Sequence, residues 1–188
     1  MGAASGGRHS PHLVATLVAI PAAVAAGVAA LWAFGVFSGT PGPIATPTGP
    51  PATSAVRMAA PALTADTQRV CQAVIAALPD RIRDRARRPV TAGAEQNAAY
   101  GDPPVTLACG TPMPSFPPTA MVSGLSGVCW FAEPGTGATR WTTVDRAVPV
   151  TVTVPGRPDG SAHSVIPFSA PISAADPVAA RVPTGCNP

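Results

Sequence analysis

Lysine is absent from this 188-residue chain: all twelve basic side chains are arginine, and charged residues make up only 11% of the sequence. A composition so rich in Arg, Ala, Pro and Gly is what a GC-rich genome encodes, so the formal charge of +3 is a poor guide to an anionic partner. From Asp66 onward ten arginines face nine acids. Nucleic-acid binding needs a focused basic field, best interleaved with aromatic rings. Aromatics are only 5% of the chain, and Tyr100, Phe116, Trp130, Phe131 and Trp141 all lie away from the one arginine cluster. No nucleic-acid partner is expected.

Signatures of catalysis are missing too. His163 is the only histidine beyond the first twelve residues, so a metal centre would have to draw its other ligands from carboxylates, and no HExxH motif is present. No CxxC pair suggests redox or zinc chemistry, and no GxGxxG or P-loop could cradle phosphates. Gly124-Leu125-Ser126-Gly127 falls one residue short of a G-x-S-x-G elbow and reads as a flexible lead into a strand at Val128. No cofactor, no metal and no enzymatic activity are expected. The weakest alternative is a hydrolase built from Asp102, Asp145 and His163, which would require those groups to converge in space.

Charge is also wholly absent between Leu13 and Phe37. At ~1.5 Å per residue, a helix of that length crosses the ~30 Å apolar core of a bilayer. Arg8 precedes the run and no charge follows it before Arg57. The bias of basic residues to the cytoplasm then places residues 1–12 inside, a signal anchor over 13–37, and everything after it outside. Trp32, Phe34 and Phe37 gather at the far end, where interfacial aromatics belong. A cleaved signal peptide is the competing reading, but its apolar region is usually only ~7–15 residues. Residues 38–65 hold six prolines and no apolar period, and so read as a solvated stalk.

What is present is a single domain over 66–188. Asp66 can cap a helix with Val70, Val74, Ile75 and Leu78 on one face, and Pro79 interrupts it. Residues 80–88 are expected to form a second short helix. Strands are expected at Val105–Cys109, Val128–Ala132, Arg140–Val144 and Val148–Val154, the last with the cleanest period of two. His163–Ala180 contains Pro167, Pro171 and Pro177 and is expected to form short helical turns. The order implies an α+β fold, a small antiparallel β-meander with helices on one face. All four cysteines (Cys71, Cys109, Cys129, Cys186) lie beyond the apolar run, as in an exported, disulfide-stapled domain. Four cysteines allow three pairings. The strand reading favours Cys109 with Cys129, which leaves Cys71 with Cys186.

Cys71 with Ala77-Leu78-Pro79, Ala99-Tyr100-Gly101-Asp102-Pro103-Pro104-Val105 and Leu107-Ala108-Cys109-Gly110 carry a family resemblance. So do Val128-Cys129-Trp130 and Thr143-Val144-Asp145-Arg146 with the valine strand after it. Over most of 66–180 the chain resembles an actinobacterial membrane-anchored family known as domain of unknown function 3515. The resemblance implies an exported, membrane-tethered protein and supplies no activity. Family members often carry arginine before the Cys-Gly pair. Here that residue is Ala108, so no role resting on the arginine is carried over.

Three groups of residues are candidates for contact with a partner. Arg81, Arg83, Arg85, Arg87 and Arg88 form a basic patch, with Arg81, Arg85 and Arg88 on one face of the expected second helix. It could meet anionic headgroups or wall phosphates, against the simpler reading of a solvated face. Tyr100 and Asp102 form a turn before Pro103, and with Trp130 and Trp141 they could line a small-ligand pocket. Asp145 and Arg146 could join that ligand site and orient a substrate, but the favoured expectation is exposed turn charges or a local ion pair, worth under ~1 kcal/mol. The leading expectation is a non-enzymatic, membrane-tethered module that binds an envelope protein or a cell-wall component. An extracytoplasmic small-ligand binder is the alternative.

Overall fold

The computed structural model describes residue 2 and residues 53–186. The chain divides into two units, and the described fold belongs to the second, Gly49–Pro188. The apolar run over 13–37 and the first part of the expected stalk lie outside the described residues. No helix among the described residues is long and apolar enough to cross a membrane.

The elements follow in the order α1 (Ala65–Ala77), β1 (Arg81–Ile82), β2 (Arg85–Arg88), β3 (Asn97–Tyr100), β4 (Val105–Cys109), β5 (Val122–Leu125), β6 (Val128–Gly135), β7 (Ala138–Thr143), β8 (Val150–Pro155) and α2 (Ala162–Ala175). The α+β class is as expected. All eight strands form one antiparallel sheet ordered β1-β2-β3-β4-β8-β7-β6-β5. It is therefore two four-stranded meanders laid side by side. Their last strands meet, with Leu107 opposite Val152 and Cys109 opposite Val150.

Helix α1 starts two residues earlier than the sequence suggests. Thr64 is the cap, its hydroxyl accepting from the Thr67 amide at 3.3 Å, while Asp66 sits in the first turn and pairs with Arg69. Pro79 ends the helix by excluding its predecessor from helical backbone angles, and Leu78 is extended.

Residues 80–88 are not a helix. They form the β1–β2 hairpin, with Ile82 paired to Arg85. Only Ile82 of this stretch is buried, so there is no apolar stripe to hold a helix down, whereas β3 offers β2 a free edge. β5 was also missed, because Gly124 and Ser126 obscure its alternation. The register sets Leu125 opposite Val128, leaving Ser126 and Gly127 as a two-residue turn with φ of 50° and 78°. Positive φ at both positions is what the right-handed twist of a hairpin demands.

The strand expected from Val148 begins at Val150. Most of His163–Ala180, expected as short turns, instead belongs to one continuous fourteen-residue helix, α2, which starts at Ala162. Pro167 and Pro171 each remove a backbone donor. Val165, Phe168 and Ile172 are buried on the sheet and offset that loss by apolar burial.

One face of the sheet carries both helices. Val105, Leu107 and Cys109 of β4, Val150, Val152 and Val154 of β8, and Trp130 and Trp141 join Cys71, Val74 and Ile75 of α1 and Val165, Phe168 and Ile172 of α2 in one core. Alternation along β6 sends Cys129 and Phe131 to the opposite face. There a second, smaller core forms from Cys129, Val144 and Cys186, with Phe116, Val122, Phe131 and Val182 against it. Phe116 stacks on Phe131 with ring centroids 4.5 Å apart.

The disulfides differ from the pairing the strand reading favoured. They join Cys71 to Cys109 and Cys129 to Cys186, with Cα atoms 5.5 and 5.7 Å apart. β8 and β7 stand between β4 and β6. At ~4.8 Å per strand this sets Cys109 and Cys129 roughly 14 Å apart, too far to bridge. The first bond ties α1 to the sheet and the second ties the chain's end to β6.

The end of the expected stalk also differs. Val56 pairs in parallel with Val90, Asn97 Nδ2 donates to the Ala59 carbonyl at 2.8 Å, and Gln96 Nε2 donates to that of Pro61. Residues 54–61 are thus hydrogen-bonded to the domain rather than part of a free spacer.

Candidate functional site

Three of the candidate ligand residues belong to the interior. Tyr100 and Trp130 are fully buried and Trp141 nearly so. Each satisfies its polar atom within the fold: Tyr100 Oη donates to the Pro79 carbonyl at 2.8 Å, Trp130 Nε1 to Ser169 Oγ at 3.2 Å, and Trp141 Nε1 to Ser161 Oγ at 3.0 Å. Burial raises the Tyr100 pKa above its ordinary value, against the lowering influence of Arg87. These side chains tie the sheet to α2 and to the chain just after α1, and none of them lines the pocket described below. Asp102 lies apart from them in the β3–β4 turn, exposed, 3.6 Å from Arg88. The turn reading of that motif holds, and Gly101 takes φ of 69° against the Arg85 side chain.

The arginine cluster is split. Arg85 Nη1 donates to the Pro103 carbonyl at 2.7 Å, Arg87 Nη1 to Ile75, and Arg88 to Gly101 and Ser54. These three guanidiniums satisfy backbone carbonyls of α1, the β3–β4 turn and the incoming segment, so they are structural cations. Only Arg81 and Arg83, at the tip of the β1–β2 hairpin, are exposed. A shared helical face for Arg81, Arg85 and Arg88 does not exist.

Asp145 and Arg146 are the largest departure from expectation. They are 1% and 3% exposed, not turn charges in solvent. The chain leaving α2 covers them. Ala147 N donates to the Pro177 carbonyl and Ala179 N to the Asp145 carbonyl, each at 2.8 Å, and Arg146 bridges to Val178. Arg146 Nη2 contacts Asp145 Oδ2 at 3.2 Å and donates to the Gly127 carbonyl of the β5–β6 turn, while Nη1 reaches the Asp176 carbonyl. Asp176, also buried, accepts from the Val148 amide at 3.2 Å. Asp145 Oδ1 and Asp176 Oδ2 have no hydrogen-bond partner. Arg146 therefore pairs with the Asp145 carboxylate, while the Asp176 carboxylate is buried nearby without a direct ion pair to it.

Beside this cluster is a pocket of about 280 Å³, lined by Gly124, Gly127, Val128, the Cys129–Cys186 disulfide, Asp145 and Gly185. The other lining residues are small or apolar, and Asp145, whose Oδ1 is itself shielded from solvent, is the one residue among them with a charged side chain. Among the described residues no group of three or more His, Cys, Asp or Glu side chains could hold a metal ion. Sequence reasoning singled out Asp145 and Arg146 but gave them the wrong environment. It missed Asp176, Gly127 and Gly185, which no local pattern marks.

Burial raises the Asp176 pKa to about 6. The amides of Val148 and Ala147 and the charge of Arg146 oppose that rise, and Asp145 adds to it. A carboxyl that ionises later in the folded state stabilises that state most when protonated. This contribution is complete below the ordinary value near 3.8 and is lost as the pH climbs through about 6. Stability should therefore fall by up to ~1.4 kcal/mol per pH unit across that window from this residue. Urea melts of the parent and Asp176→Asn at pH 4.5 and 7 measure it. The parent should lose more stability between the two, and equal losses would refute the assignment.

Asp102, Asp145 and His163 do not converge. Asp102 joins the Val105 end of β4, whereas Asp145 lies beyond the opposite end, where Cys109 faces Val150. Four residue steps at ~3.3 Å put about 13 Å between those ends. His163 is in the first turn of α2 and Asp176 caps its far end, ~20 Å away along the helix axis.

The pattern of a family described as Protein of unknown function (DUF3515) matches residues 18–181. No curated protein and no solved structure matches the chain.

Proposed function

Because the chain belongs to the DUF3515 family, whose description carries no activity, we propose its role from its own chemistry: a membrane-tethered, extracytoplasmic binding module of the cell envelope, without catalysis. The observation that carries this reading is that all four cysteines are paired and all lie downstream of the charge-free run. Structural disulfides persist in oxidising compartments and are rare in a reducing cytosol. The run over 13–37 supplies a span and the proline-rich residues after it a spacer, now shortened because residues 54–61 bind the domain.

The partner in this reading is another envelope protein or a wall component. Within the cluster, Arg81, whose Nη1 donates to the Asp84 carbonyl, and Arg83 are the residues exposed to meet it, and charge reversal there leaves the structural cations Arg85, Arg87 and Arg88 in place. The test of location uses whole cells. Thiols of the full-length protein should resist alkylation until a reductant is added, and protease added outside intact protoplasts should digest the domain. Free thiols in the native protein, or a domain protected from external protease, would overturn the proposal.

A further inference from the structure

We propose that the β5 edge of the sheet pairs with the β5 edge of a second copy of this chain, antiparallel and centred on Ser123. β5 ends the strand order, and among the described residues its backbone hydrogen-bonds only to β6. In a two-residue hairpin the pair flanking the turn, here Leu125 and Val128, exchanges hydrogen bonds. Alternation then directs the amides and carbonyls of Val122 and Gly124 away from β6, toward the open edge. The far side of β6 agrees: Cys129, opposite Gly124, turns its carbonyl away from β5 to the Val144 amide at 2.9 Å.

The two ends of the sheet differ in their protection. β1 is two residues long, and its hairpin carries Arg81, Arg83 and Asp84, charges of the kind that blunt an edge. β5 has neither charge nor proline, and no charged residue or histidine occurs from Pro103 to Ala132. Gly124 sharpens the contrast. It is exposed, its backbone angles are ordinary, and a Cβ built there meets nothing within 4 Å. One chain alone has no need of glycine at this position, although glycine weakens a strand. Close approach of another backbone is what a glycine there permits.

Self-complementarity selects a second copy as the occupant. Pairing about Ser123 sets Gly124 of each copy opposite Val122 of the other, and these residues exchange their outward amide and carbonyl bonds. Val122 packs on the smaller core, and the missing side chain of Gly124 leaves room beside it on that face. On the other face Met121, 87% exposed, meets Leu125 of the second copy, which already packs on the main core. That contact takes a large apolar side chain out of water. The charge-free strands meet without repulsion, whereas a partner chosen by charge would find none here to read.

The experiment joins sedimentation equilibrium of the full-length chain in detergent micelles to disulfide trapping. The parent should show a monomer–dimer equilibrium. Met121→Lys and Gly124→Asp, both at exposed positions, should weaken dimerisation at least ~tenfold with unchanged circular dichroism. The two Ser123 residues face each other in a non-hydrogen-bonded pair, whose closely spaced Cα atoms suit a disulfide. Mild oxidation should therefore link Ser123→Cys into a dimer and leave Thr136→Cys, exposed in the β6–β7 turn, unlinked. A monomeric parent, a dimer that both charged variants leave intact, or equal trapping at positions 123 and 136 would overturn the proposal. A monomeric parent that cross-links from position 123 to another envelope protein in native membranes would also overturn it, and would give the edge to that protein's strand. Location is tested separately, by alkylation and protease access.

Discussion

Replacing Arg146 by methionine is expected to cost ~3–5 kcal/mol, the scale for removing one partner of a buried ion pair. The side chain is almost fully enclosed, so the variant cannot recruit water to replace what it loses. Three acceptors lose their donor at once: Asp145 Oδ2, the Gly127 carbonyl and the Asp176 carbonyl. The buried Asp145 carboxylate would be left without its ion-pair partner, and Asp176 without the nearby positive charge that lowers its pKa. Urea melts at pH 7 and pH 5 distinguish this from a simple packing defect. If uncompensated charge is the cause, the deficit relative to the parent should shrink at pH 5, because protonation removes the charge left unpaired. A deficit under ~1 kcal/mol at pH 7 would return Arg146 to the class of exposed turn charges. A deficit independent of pH would mean that lost contacts, not lost charge, dominate.

The same residues show how far local sequence could reach. The α+β class, helix α1, strand β4, the core of β8 and the Tyr100–Val105 turn were legible because each is set by nearby residues: an apolar stripe, a period of two, or a Gly-Asp-Pro turn. Asp145-Arg146 was misread because two adjacent charges between strands look like a surface turn until a distant segment covers them. That segment, Pro177–Ala179, carries no pattern announcing where it will dock. The Arg81–Arg88 stretch failed for a related reason. Its charges satisfied a helical spacing, but helices in proteins are held by an apolar face, and Ile82 alone does not make one. The two tryptophans and Tyr100 were candidates for a pocket on the strength of residue type. Their N–H and O–H groups instead find internal partners, Ser169, Ser161 and Pro79, which lie far away in the chain.

The disulfides give the second large effect and a direct check on topology. Non-reducing peptide mapping should recover Cys71 linked to Cys109 and Cys129 linked to Cys186; a Cys109–Cys129 peptide would contradict the insertion of β7 and β8 between those strands. The bonds close loops of 38 and 57 residues, which on the chain-entropy model stabilise by about 4 kcal/mol each. Domains are stable by only ~5–15 kcal/mol in total, so Cys71→Ala with Cys109→Ala, or Cys129→Ala with Cys186→Ala, should each remove a large share of it. The two variants should nevertheless differ in kind. Loss of Cys71–Cys109 leaves α1 packed by Val74, Ile75 and Leu78, so unfolding stays a single transition at a lower melting temperature. Loss of Cys129–Cys186 frees the end of the chain that covers Asp145 and Arg146, and the amides of Ala147 and Ala179 should exchange by local opening before the sheet unfolds. Hydrogen exchange on both variants separates these outcomes. Ala147 protected equally in the two would show that the Pro177–Ala179 contacts hold the cluster closed on their own, and that the second bond adds stability without guarding the pocket.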